Sequence, residues 1–115
     1  MERRKWFDKK FQFDLTPDKY SSLLKKLAET PHTISRLVYS LDEAIIIKRV
    51  ENRWSIKENV GHLIDLEEIH DGRIDDFIAG KEILRPADLN NKKTDEANHN
   101  SKNINDLTKQ FKNVR

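Results

Sequence analysis

The chain of 115 residues contains no cysteine, so it has neither a disulfide framework nor thiolate chemistry of its own. That usage suits a reducing compartment, and a cytoplasmic location is the expectation. Glycine occurs only at 61, 72 and 80, which excludes a Gly-rich phosphate loop. No Ser-His-Asp order or nucleophile elbow is present. Long apolar runs are missing as well. Nothing approaches the ~20 residues of a membrane span, and the basic start MERRKWF is not followed by the apolar stretch of a signal peptide. No membrane partner is expected. Apolar residues make up 36% of the chain and charged residues 37%, so the core is modest and the surface wet. The apolar residues are nonetheless periodic, which argues for one folded domain rather than disorder.

The net charge of +2 conceals an asymmetry. Residues 1–10 carry five basic against two acidic side chains, and residues 81–115 carry eight against five. Residues 58–78 carry seven acids against Arg73 alone. The basic C-terminal segment is expected to meet the acidic middle within one fold. Nucleic-acid binding needs a clustered basic face with aromatic or groove-entering elements; these scattered lysines do not make one, so no nucleic-acid partner is expected.

Trp54 to Gly80 is the longest helical pattern. It opens with Ser55-x-x-Glu58, a capping box, and ends at Gly80, suited to a left-handed C′ position. At about 100° per residue, Lys57, Glu58, Gly61, Asp65, Glu68, Gly72, Asp75 and Asp76 share an arc without a large apolar side chain. The wider remaining arc holds Ile56, Val60, Leu63, Ile64, Leu66, Ile69, Ile74, Phe77 and Ile78. Such width belongs to a helix with neighbours on two sides. Asn59, His62, Glu67, His70 and Arg73 interrupt it and are the functional candidates.

The expected organisation is a single all-α domain. Residues 1–15 form an extended arm with Trp6, Phe7, Phe11, Phe13 and Leu15. Residues 16–41 form a first helix that starts at Thr16-Pro17 and restarts or kinks at Thr30-Pro31. Ile45, Ile46 and Ile47 make a packed connector, with Asp42 able to cap a short turn. The central helix covers 55–79. A crossover loop spans 80–102, long enough to suggest function. A third helix over 103–115 carries Ile104, Leu107, Phe111 and Val114 as an apolar stripe. This stripe is expected to be exposed and to pair with another copy, giving a homodimer.

The segments RKWFDKKFQFDL, LLKKLAETP, RWSIKENVGHLIDLEEIHDGRIDDFIAG, RPADLNNKKTDEANHN and NDLTKQFKNVR resemble the DinB/YfiT-like superfamily over nearly the whole chain. The W-S-x-x-E-x-x-G-H-L core, with Glu67 and Arg73 downstream, is the most specific part. The resemblance implies a four-helix bundle with long crossover connections, here truncated to about three helices. It also implies a divalent metal, zinc or nickel, held by three histidines, and thiol-dependent transferase or hydrolase chemistry with a low-molecular-weight thiol. His62 corresponds to the first ligand. The H-x-x-x-H pair of the fourth helix has no counterpart in this sequence, so the expected metal site is incomplete. The alternative is a non-catalytic bundle module acting through homodimerisation or partner binding.

Geometry limits the metal reading further. His62 and His70 are separated by about 12 Å of helical rise, whereas ligand atoms on one ion sit within roughly 4 Å; the two cannot share an ion. Glu58 lies at i−4 to His62 but is accounted for by the capping box. Glu67, in the middle of the apolar arc, needs a partner: His70 and Asp71 follow at i+3 and i+4, or a basic residue arrives from another helix. Arg73 can pair with an acid across the bundle or offer a fork to an anion. His99, in the loop, and His32, after a helix-starting proline, are expected to be solvated. The binding candidates are therefore Glu67, His70, Arg73 and His99, with His62 as the metal ligand.

Overall fold

The computed structural model describes residues 8–12 and 14–115. Trp6, Phe7 and Phe13 of the expected arm lie outside the described residues, while Phe11 and Leu15 are more than half exposed. No strand occurs among the described residues, and the chain is all-α. Helix α1 runs from Tyr20–Val38, preceded by a 3-10 turn at Pro17–Lys19, with Thr16 extended at the cap position. Short α2 covers Glu43–Ile46, α3 Ile56–Ile78, short α4 Lys92–Glu96 and α5 Ile104–Val114. A 3-10 turn, His99–Ser101, joins α4 to α5.

Pro31 lies inside α1, and the helix does not restart there. The proline removes one amide donor, and beside it the Thr30 hydroxyl donates to the Lys26 carbonyl at 2.8 Å. The connector is helical: Ile46 is buried while Ile45 and Ile47 remain partly exposed. The segment 80–102 is likewise not a bare loop, since it contains α4 and the 3-10 turn.

Both ends of α3 are fixed locally. The Ser55 hydroxyl accepts from the Glu58 amide at 3.2 Å, and the Ser55 amide donates to the Glu58 carboxylate at 3.1 Å. At the other end Gly80 adopts φ 69°. Its amide donates to the Phe77 carbonyl and that of Lys81 to the Asp76 carbonyl, both at 3.1 Å, the double bond pattern of a Schellman cap. Asn103 caps α5 through its side-chain oxygen, which accepts from the amides of Asn105 and Asp106 at 2.8 and 3.4 Å.

Val60 and Ile64 of α3 pack against Leu107 and Phe111 of α5, with Ile34, Ile56, Leu63 and Ile104 around them. Helix α5 rests on both α1 and α3 and bridges them. Leu107 and Phe111 are fully buried. This corrects the expectation of an exposed stripe on the last helix: α3 already covers it. Among the uncovered apolar side chains are Leu23, Leu24 and Leu27 on α1 and Ile74, Phe77 and Ile78 on α3.

Much of the polar arc of α3 is covered, with Glu68 and Asp75 left exposed. Lys57, Glu58, Gly61, Gly72 and Asp76 are all buried. The segment returning from α3 to α5 lies along them, and its basic residues meet the acids of the helix. Arg85 donates from Nε and Nη2 to the two Asp76 carboxylate oxygens, each at 2.9 Å. The Arg85 amide adds a third bond at 2.9 Å, and Lys81 stands 3.2 Å from the same carboxylate. Lys93 pairs with Glu68. At the N-terminal end Lys57 pairs with Glu43 of α2, and Arg49 grips Glu58 in a fork at 2.6 and 2.9 Å. The charge asymmetry of the sequence is thus spent inside the fold.

Candidate functional site

Helix α3 carries two separate groups of side chains. The first faces the returning segment. His62, half-buried, stacks obliquely on Trp54 with ring centres 4.7 Å apart. The indole N–H of Trp54 donates to Asp95 at 2.9 Å, which fixes the ring against the last turn of α4. Nδ1 of His62 lies 3.0 Å from the Thr94 hydroxyl. That hydroxyl donates to Oδ2 of Asp65 at 2.7 Å. Nε2 of His99 lies 2.9 Å from the same carboxylate oxygen, and Nζ of Lys102 lies 3.2 Å from His99 Nδ1. Burial lowers the His62 pKa, against the opposing pull of Asp65 and Asp95, so the ring is neutral at pH 7.

His99 is therefore not a solvated loop histidine: it is 3% exposed. Its ring occupies the space over Gly61, where a Cβ would sit 2.2 Å from His99 Cγ. Asn100 anchors the same turn, accepting from the Ser55 hydroxyl at 2.5 Å and donating to the Ile47 carbonyl at 3.0 Å. His32 is exposed, as expected.

The second group lies where α1, α3 and the end of α5 meet. Arg115 donates to Glu67 Oε1 from Nε and Nη2 at 3.1 and 2.6 Å, and its guanidinium lies over the Phe111 ring at 4.7 Å. His70 Nδ1 stands 3.6 Å from the same oxygen. Arg73 donates from Nε to the Arg85 carbonyl at 3.0 Å. Glu67, His70 and Arg73 thus share a cleft of about 590 Å³, walled by Leu24, Leu27 and Ile74. A second cleft of about 400 Å³ continues between α1 and the first half of α3, lined by Ile34, Leu37, Ile56 and Leu63 among others. Together they make a furrow between α1 and α3, whose first part is also lined by Val114 and Arg115 at the end of α5.

The expected site residues therefore divide. His62 and His99 are joined through Thr94 and Asp65, and Glu67, His70 and Arg73 gather in the furrow. Sequence reasoning missed Thr94, Asp65, Arg85 and Arg115. The one signal for them was the pair Gly61 and Gly72, three turns apart on one arc, since glycine inside a helix usually marks close packing.

The implied metal can be tested against these donors. No group of three histidine, aspartate or glutamate side chains able to hold an ion exists among the described residues. Both nitrogens of His99 are engaged, so of this pair only Nε2 of His62 is free of a partner. A three-histidine centre does not fit the described residues by themselves. No helix among them is long and apolar enough to cross a membrane. Compared with protein-family models, curated proteins and solved structures, the chain gives no match.

Proposed function

We propose that the chain is a DinB-like helical-bundle module that acts by pairing its α1–α3 furrow with the furrow of a second copy. The observation carrying this reading is the uncovered apolar furrow itself. Leu24 and Leu27 of α1 share a cleft with Ile74 of α3, and Leu23, Phe77 and Ile78 on the same two helices are exposed, the last two each at 78%. These six side chains present on the order of 600 Å² of accessible area, at the upper end of what a monomer surface carries. With their polar rim they approach the ~800 Å² that one partner contributes to a standard interface.

Charge favours a second copy as the occupant. Helix α1 carries Lys25, Lys26 and Arg36 against Glu29, a net +2. In the second half of α3, residues 67–78, Glu67, Glu68 and Asp76 are paired within the fold, which leaves the exposed Asp71 and Asp75 as the acids open to the basic side chains of another copy. A two-fold axis sets the α1 of each copy on the α3 of the other, so the same complementary contact forms twice. Light scattering tests this: the mass is expected to be twice 13.6 kDa, falling to a single chain in Phe77→Asp. A wild-type monomer at ~100 μM would reject the pairing, because a standard-size interface normally holds below that concentration.

The second reading is a divalent-metal-dependent thiol transferase or hydrolase, with zinc or nickel as the ion. Its support is His62, neutral and with Nε2 uncommitted, which suits one nitrogen ligand. The remaining ligands would have to be supplied from outside the described residues. Titration of the chain with Zn²⁺ or Ni²⁺, followed at His62, tests it. The reading requires saturation at one equivalent that is lost in His62→Ala.

A further inference from the structure

The polar chain between α3, α4 and the turn before α5 has only one consistent direction. An ammonium has donors and no acceptor, so Lys102 must donate to His99 Nδ1 across their 3.2 Å separation. A neutral imidazole that accepts at Nδ1 donates at Nε2, and Asp65 receives that bond at 2.9 Å. An ionised carboxylate only accepts. The single hydroxyl proton of Thr94 therefore goes to Asp65 at 2.7 Å. Having spent its proton, Thr94 Oγ1 can only accept from His62 Nδ1 at 3.0 Å. Donor-only Lys102 at one end and acceptor-only Asp65 in the middle leave no alternative.

We propose that Thr94 and Asp65 are positioning residues for His62, holding it as the Nδ1–H tautomer so that Nε2 presents its lone pair. Each partner comes from a different part of the fold: Asp65 stands one turn along α3, Thr94 sits in short α4, and His99 braces the carboxylate from behind. The oblique stack on Trp54 limits rotation of the ring. A carboxylate acting through the far nitrogen of an imidazole fixes the tautomer and raises basicity at the near one. Here the hydroxyl of Thr94 carries that influence. The product is an oriented nitrogen donor for an acidic partner, either a proton in transit or a borderline divalent cation. Its functional use rests on the second reading above; the tautomer does not.

The test is two-bond ¹H–¹⁵N correlation of the imidazole resonances in the metal-free chain at about pH 8. Wild type and Thr94→Ser are expected to show His62 as Nδ1–H in roughly tenfold excess or more, the ratio that about 1.4 kcal/mol of hydrogen bonding imposes. Thr94→Val removes the acceptor and is expected to release the ring to a tautomer mixture. Predominant Nε2–H in the wild type overturns the proposal, as does an unchanged Nδ1–H excess in a folded Thr94→Val protein. The wild-type spectrum decides even if Thr94→Val does not fold. Zn²⁺ or Ni²⁺ is then added to the same sample. If His62 is Nδ1–H but neither ion shifts it, the positioning stands and the metal reading fails.

Discussion

The imidazole of His99 occupies the place of a side chain at residue 61: a Cβ built on Gly61 would lie 2.2 Å from His99 Cγ. Alanine inside a helix is ordinarily favoured over glycine by about 0.5–1 kcal/mol. Here Gly61→Ala is expected to destabilise the fold, by about 1–3 kcal/mol for forced repacking, because His99 is buried and bonded on both nitrogens. At Gly72 the obstructing atoms belong to the Arg85 guanidinium, 2.1 Å from the position a Cβ would take. That group can shift at the expense of its fork with Asp76, so Gly72→Ala is expected to cost less. Thermal melting of the two variants checks both the sign and the order.

Asp76 is buried beneath a three-bond grip from Arg85, with Lys81 alongside. The side-chain bonds from Arg85, then its amide, hold the Asp76 carboxyl well below its ordinary 3.8. A folded pKa below the unfolded one adds stability that is complete above 3.8 and lost as pH falls below it. Melting temperature followed from pH 5 to pH 2 is expected to fall less steeply in Asp76→Asn than in wild type. The variant starts lower at pH 5, having given up the charged pair.

His62 behaves with the opposite consequence for its charged form. Burial lowers its pKa from 6.5, so the fold disfavours the imidazolium. The unfolded chain then binds the extra proton first, and stability is full above 6.5 and declines as pH drops below it. Asp65, Asp95 and His99 are the charged and titratable groups that act on this titration. In His62→Gln, the decline between pH 7 and pH 5 is expected to be shallower by urea unfolding.

The pair of Glu67 and Arg115 is held with little solvent, side-chain exposures being 11% and 13%. Removing one partner of such a pair costs about 3–5 kcal/mol, whereas replacing both by apolar groups of similar volume is near neutral. Arg115→Ala is accordingly expected to unfold at distinctly lower urea than the double variant Glu67→Leu with Arg115→Met. Equal loss in both would place Glu67 in a wetter setting than the fork suggests.

Local signals in the sequence translated directly into structure. Ser55 with Glu58 became the capping box and Gly80 the Schellman cap, and the spacing of Leu107 and Phe111 became one face of α5, though that face is buried against α3 rather than exposed as expected. What could not be read was which neighbour each face of α3 meets. The arc of Gly61, Asp65, Gly72 and Asp76 lacks large apolar groups, and only the charge asymmetry pointed to the basic segment that meets it. That arc is buried because ion pairs and two glycines let a polar strand of chain pack closely. Conversely, Phe77 and Ile78 are apolar and remain outside. Hydrophobic periodicity sees transfer from water; it is blind to burial achieved through paired charges. The same blindness concealed Thr94 and Arg115, whose roles depend on contacts 29 and 48 residues away in sequence.

The pairing of furrows is tested most directly by amide hydrogen exchange at ~1 μM and ~100 μM chain, a range that spans dissociation of a modest interface. Added protection at the higher concentration is expected in α1 around Leu23 to Leu27 and in α3 from Arg73 to Ile78, with α4 unchanged. Identical exchange at both concentrations, in a sample shown to be monomeric, would contradict the account, as would protection confined to α4 and the returning segment.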